Sequence, residues 1–139
     1  MSNRDSLTCA TETVVLNATE LCGTVELGDQ RGRTIGFPTA NLPLAATSAL
    51  ANGVYAGRVT LSDGRQFVAA VNVGHRPTIY TDGVRLVEAH LIGFDGDLYG
   101  STIVVRLTRR LRDEQRFGSL EELQAQIALD TERAIEAAG

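Results

Sequence analysis

Three side chains stand out as able to handle a phosphate, a hard cation or a proton: Thr39, Asn41 and Glu88. Thr39 and Asn41 fall in GFPTAN, residues 36–41. Pro38 fixes its own backbone angle and biases Phe37 toward an extended conformation, so the stretch is stiff without being regular structure. Side chains two apart on an extended chain share a side. A hydroxyl and a carboxamide oxygen so placed are hard ligands that Mg²⁺ accepts when phosphate oxygens and water complete its shell. The competing reading is a capped turn, in which both side chains satisfy local backbone groups. Glu88 lies in RLVEAHLIGF, where strand alternation puts it on one face with Leu86, His90 and Ile92, and turns Val87, Ala89 and Leu91 the other way. Apolar neighbours on its own face would desolvate the carboxylate and suit it to accept a proton near neutral pH. An ordinary solvated glutamate is the alternative. His90 and His75 are the two histidines of the chain, too few for a histidine metal site.

Two flanking groups bear on the same chemistry. LGDQRGRTIGFPTAN, residues 27–41, brings Gly28, Gly32, Arg33 and Gly36 just ahead of the proline. It is not a P-loop: Gly28 and Gly32 are too close together, Arg33 stands in the lysine position, and Pro38 lies where the helix would have to run. Glycines still let backbone N–H groups approach an anion, and arginines neutralise it, so either a phosphate cradle or a plain surface loop fits. Arg109, Arg110, Arg112 and Arg116 form a basic cluster that either holds phosphates or pairs with Asp113, Glu114 and Glu121 at the surface.

The elements that must position these residues are short strands. GVYAGRVTL, residues 53–61, faces QFVAAVNVG, residues 66–74, across Ser62-Asp63-Gly64-Arg65, and Asp-Gly supplies the positive backbone angles of a tight hairpin. A second hairpin is expected between residues 85–94 and 97–111 across Asp95-Gly96. Alternation in TIVVRLTRRL puts Ile103, Val105 and Leu107 on one face and Val104, Arg106 and Thr108 on the other. A further strand is expected at about residues 21–27. Many short strands in a small domain favour a closed or nearly closed barrel, which removes exposed edges. The period then changes: Ser119 with Glu122 three residues on has the capping-box spacing, and Leu120, Leu123, Ile127, Ala134 and Ile135 recur at helical spacing. One amphipathic helix packed on the barrel is expected.

Bulk properties limit the partners. At 139 residues there is room for one domain. A formal charge of −4 gives nothing to draw the chain to nucleic acid. Cys9 and Cys22 are in no metal-ligand spacing, and a chain that is 43 % hydrophobic needs no disulfide to fold, so two free thiols are expected. The N-terminus has no apolar run long enough for a signal peptide or membrane span. A cytoplasmic monomer acting on small molecules is expected, with residues 1–20 a partly disordered leader and residues 21–139 the domain.

Taken in order, GTVELGDQRGRTIGFPTANL, GVYAGRV, AAVNVGHRPT, VEAHLIGFDGDLYG and LRDEQRFGSLEELQAQIALD resemble riboflavin kinase, specifically the kinase module at the C-terminus of bacterial bifunctional FAD synthetases. The resemblance spans Gly23 to about Ala134, and GFPTAN is its most specific piece. It implies a mainly β fold: a six-stranded antiparallel Greek-key barrel with a C-terminal α-helix. It implies transfer of the γ-phosphoryl group of ATP to the 5′-hydroxyl of riboflavin, giving FMN and ADP. It places Mg²⁺ and the nucleotide phosphates on Thr39 and Asn41, makes Glu88 the catalytic base, and makes Gly28, Gly32, Arg33 and Gly36 a flap over the nucleotide. Arg112 and Phe117 fall in the segment that closes around the flavin. The adenylyltransferase module that usually precedes this one has no counterpart in the sequence, so FMN and not FAD is the expected product. A non-catalytic barrel that senses or carries FMN is the alternative from another class. It would need neither a metal–phosphate pair nor a base, and Thr39, Asn41 and Glu88 are all present.

Overall fold

Period-two alternation decides which side of each strand turns inward, and the computed structural model shows where those faces meet. It describes residues 14–17, 20–26, 40–44, 50–75, 85–94, 96–113 and 118–138. Among the described residues, seven strands and one helix follow in chain order: β1 (Val14–Asn17), β2 (Glu20–Thr24), β3 (Ala40–Leu44), β4 (Gly53–Leu61), β5 (Gln66–His75), β6 (Arg85–Leu91), β7 (Thr102–Arg112) and α1 (Leu120–Ala138). The strands form one sheet in the order β1-β2-β7-β4-β5-β6-β3, every pair antiparallel. An antiparallel bridge between Glu26 and Asn41 joins the two ends of the six strands β2 to β7, with Glu26 N donating to the Asn41 carbonyl at 2.8 Å. Those six strands make the nearly closed barrel. β1 adds a seventh strand on β2, within the stretch expected to be leader. The run β7-β4-β5-β6 is a Greek key: a three-stranded meander whose fourth strand returns beside the first.

The β4–β5 hairpin forms as its turn chemistry predicts. Gly64 takes φ 94°, and Asp63 Oδ1 accepts from Arg65 N at 3.0 Å. That backbone bond and the Arg65 guanidinium hold the Asp63 carboxyl below its ordinary range. The second expected hairpin does not form. Both edges of β6 are taken, by β5 and β3, and β7 lies instead between β4 and β2. The glycines after β6 serve a crossover: Gly93, Gly96 and Gly100 all have positive φ, and Gly100 N donates to the Val25 carbonyl at 2.9 Å. An Asp-Gly pair marks where the chain turns, and the free strand edges decide what it turns toward.

Inside the barrel lie the side chains that alternation assigns there, among them Ile103, Val105 and Leu107 of β7 and Val87, Ala89 and Leu91 of β6. Gly57 faces this interior where a Cβ would come within 2.6 Å of the Arg106 carbonyl oxygen, so the close approach of β4 to β7 requires glycine. Outside, α1 covers β4, β5 and β7 through a second cluster in which Ala56, Ala70 and Ala134 meet with Val68, Ile92, Leu111 and Ala137 around them. Small residues on both surfaces bring the helix close. At its start Ser119 Oγ accepts from Glu122 N at 3.2 Å, while the Glu122 carboxylate accepts from Gly118 N at 2.9 Å, one residue before the partner a capping box uses. Ala134 is fully buried and Leu123 and Ile127 are half-buried, as expected, but Ile135 is exposed. One residue past Ala134 is a rotation of about 100°, which carries Ile135 off the covered face. Cys22 also departs from expectation: it is buried and disulfide-bonded, and the other cysteine, Cys9, lies outside the described residues.

Candidate active site

Strand register assembles the site. Asn41 on β3 is the direct partner of Glu88 on β6, and Glu88 is in turn the direct partner of Asn72 on β5. The chain neighbours of all three point into the barrel: Ala40 and Leu42, Val87 and Ala89, Val71 and Val73. By alternation Asn41, Glu88 and Asn72 therefore share the outer face, as a row running across three strands with neighbouring Cβ atoms about 5 Å apart. The pairing continues from Asn72 to Val54 on β4, and from Val54 to Arg112 at the end of β7.

Asn41 is 5 % exposed, and its Oδ1 is buried with no hydrogen-bond partner. A buried, unpaired oxygen costs roughly 1–3 kcal/mol, so it is rare unless something outside the protein completes it. Its neighbour Glu88 is half-buried. Along its own strand Glu88 has buried Leu86 and half-buried His90 on the same face, close to the apolar surroundings read from sequence. Across the strands its neighbours are two carboxamides.

At the far end of the row, Arg112 donates from Nε and Nη2 to the two carboxylate oxygens of Asp130, at 2.9 and 2.8 Å, and from Nη1 to the Asp113 carbonyl at 2.8 Å. Gln126 adds a donor to Asp130 Oδ1 at 3.0 Å. Asp130 is nearly fully buried, so this bidentate pair fastens the end of β7 to the middle of α1. Arg110 donates from Nη2 to Asp113 Oδ1 at 2.7 Å and to the Asn52 carbonyl at 2.9 Å, and the Asp113 bond raises its pKa. Its guanidinium lies over Gly53, where a Cβ would come within 2.7 Å of it. Of the basic cluster, Arg110 is thus engaged at the surface, and Arg112 ties β7 to the helix. Buried Arg85 does similar work, donating from Nε and Nη2 to Asn52 Oδ1 at 3.0 and 2.7 Å and from Nη2 to the Leu50 carbonyl. Among the described residues no three His, Cys, Asp or Glu side chains come together as a metal cluster.

The family model for riboflavin kinase matches residues 16–138, nearly all of the sequence. This chain belongs to the riboflavin kinase family. It is 47 % identical over 111 residues to the bifunctional riboflavin kinase/FMN adenylyltransferase of Escherichia coli K12, covering 79 % of this chain and 35 % of that protein. It is 37 % identical over 116 residues to the protein of the same name in Bacillus subtilis, covering 81 % and 36 %. The chain thus spans about a third of the length of these curated relatives. A crystal structure described as a macrolide-efflux protein from Streptococcus pneumoniae superposes with a TM-score of 0.71 at 36 % identity, covering 81 % of this chain and 37 % of that one. Among the described residues no helix is long and apolar enough to cross a membrane.

Within this riboflavin kinase family member, the residues singled out from sequence divide three ways. Asn41 and Glu88 are brought side by side. Arg112 lies on the same register row but is engaged by Asp130. Thr39, Gly28, Gly32, Arg33, Gly36 and Phe117 lie outside the described residues. Sequence reasoning missed Asn72, Asp130 and Arg85. Asn72 had a signal, a polar residue at an outward position in the apolar run VAAVNVG. Asp130 had one too, as a charge between Ile127 and Ala134 on the covered helix face.

Proposed function

We propose that this chain is an ATP:riboflavin 5′-phosphotransferase, converting riboflavin and MgATP to FMN and ADP. The observation that carries the reading is the pairing of Asn41 with Glu88: a buried, open acceptor oxygen next to a half-buried carboxylate on one face of the barrel. The first suits a cation–phosphate complex and the second suits a proton, and phosphoryl transfer to an alcohol needs both within one site.

Asn41 Oδ1 fits a hard cation by ligand type, and Thr39, two residues before it, is the second ligand this reading assigns. Bound there, Mg²⁺ would neutralise charge on the nucleotide phosphates. Glu88 orients the 5′-hydroxyl of the ribityl chain and takes its proton as the new O–P bond forms and the bond to the ADP oxygen breaks. Gly28, Gly32, Arg33 and Gly36 cover the nucleotide, and Arg112 and Phe117 contribute to the flavin side. The protein acts on these small molecules as a monomer in the cytoplasm.

The test is to incubate the purified chain with riboflavin, ATP and a divalent metal and to separate the flavins by chromatography. FMN formed in step with ADP is the expected result. Riboflavin left unchanged with Mg²⁺, Mn²⁺ and Zn²⁺ alike would overturn the reading.

A further inference from the structure

Asn72 is the third member of the polar row, and its position relative to Glu88 is opposite to that of Asn41. In-line phosphoryl transfer sets the donor and the acceptor on opposite sides of the transferring group. If the open oxygen of Asn41 marks the cation and phosphate side, the acceptor alcohol reaches Glu88 from the Asn72 side. Along β5 the next outward residue, Ala70, is already buried under α1, so the open approach to Glu88 on this side runs past Asn72 itself, which is half-buried. An acceptor with a polyhydroxy tail fits that approach, with its reacting hydroxyl at Glu88 and the rest of the tail passing Asn72.

The chemistry of the side chain fits the same place. A carboxamide both donates and accepts, which matches a hydroxyl that does both. It is neutral, so it adds no charge beside the carboxylate that must accept a proton. An aspartate there would raise the pKa of Glu88, and a lysine would lower it. We infer that Asn72 is a specificity-determining residue that hydrogen-bonds a hydroxyl of the acceptor's polyol chain, the one adjacent to the hydroxyl that is phosphorylated. The inference rests on the kinase reading and names a subsite within it.

The experiment compares two acceptors, riboflavin and an analogue lacking the hydroxyl next to the reacting one, in the wild-type chain and in Asn72→Ala. A site built to bond a hydroxyl discriminates against a substrate without it. Wild type should therefore prefer riboflavin. Asn72→Ala should lose about tenfold in kcat/KM for riboflavin, the worth of one neutral hydrogen bond, with little change for the deoxy analogue or in KM for MgATP. The preference between acceptors should then nearly vanish. Asn72→Ser, which restores a hydroxyl at reduced reach, should recover part of it and provides the comparison should the alanine variant fold poorly. Loss of rate on both acceptors alike, or a retained preference in both variants, would overturn the assignment of Asn72. A wild-type chain that makes no FMN would instead overturn the kinase reading itself.

Discussion

Strand β5 carries two unlike outer surfaces within five residues. Val68 and Ala70 lie in the cluster under α1, where small side chains let the helix sit close. Asn72, the next outward residue, belongs to the row with Glu88 and Asn41. Under the helix every strong polar group described is matched: Arg112 by Asp130, and Asp130 further by Gln126. In the row, the best-buried polar atom, Asn41 Oδ1, has no partner. The same barrel face is thus finished in one region and left incomplete in the other. Partners for the incomplete region must come from outside it, and this is why the row, and not the Arg112–Asp130 pair, is read as the place where chemistry happens.

The largest expected effect tests that contrast on the reactive side. Glu88→Gln preserves shape while removing the base, so turnover should fall by roughly a hundredfold or more, with riboflavin affinity much less changed. Steady-state kinetics with a separate flavin-binding titration would show the split. Near-normal turnover would remove Glu88 from the mechanism and leave the row without a catalytic member.

On the finished side the dominant effect should be on stability. Asp130→Ala leaves the partly buried Arg112 guanidinium without its carboxylate, at a cost of about 3 kcal/mol in denaturant unfolding. A loss below about 1 kcal/mol would make the pair no stronger than a surface ion pair. Arg112→Ala breaks the same pair but leaves a buried carboxylate instead. Measured at a temperature where both variants are folded, a rise in riboflavin KM confined to Arg112→Ala would show that this arginine serves the flavin as well as the helix. Equal KM values in the two variants would confine it to holding the helix.

How legible these regions were in the sequence follows the range of the forces that shape them. Inward and outward faces were readable because alternation is local: Val105 and Arg106 differ in fate by one residue. The β4–β5 hairpin was readable for the same reason, since its turn lies between its strands. The pairing of β6 was not, because Asp95-Gly96 says where the chain turns and nothing about which strand edges are free. Glu88 and Asn41 were each legible by type, and GFPTAN by its likeness to a known family. Their juxtaposition was not, since it depends on a register between strands far apart in sequence. Asp130 was hidden for a further reason: a charge on the covered face of a helix reads as an interruption until the arginine that meets it is placed opposite.

The smallest predicted change bears most directly on why the row is incomplete. Asn41→Ala deletes an oxygen that the protein itself leaves unsatisfied, so the folded state should lose little and gain up to about 1 kcal/mol in the absence of ligands. The same substitution should raise KM for MgATP by about tenfold and flatten the dependence of rate on Mg²⁺ concentration, as loss of one ligand from a cation–phosphate site requires. Stability rising while nucleotide affinity falls is a combination that a structural asparagine would not produce, because removing a group that holds the fold lowers both. A destabilised variant with an unchanged metal titration would place Asn41 with Arg112 and Asp130, among the residues that finish the barrel, and would erase the distinction between the finished and the incomplete regions of the outer face.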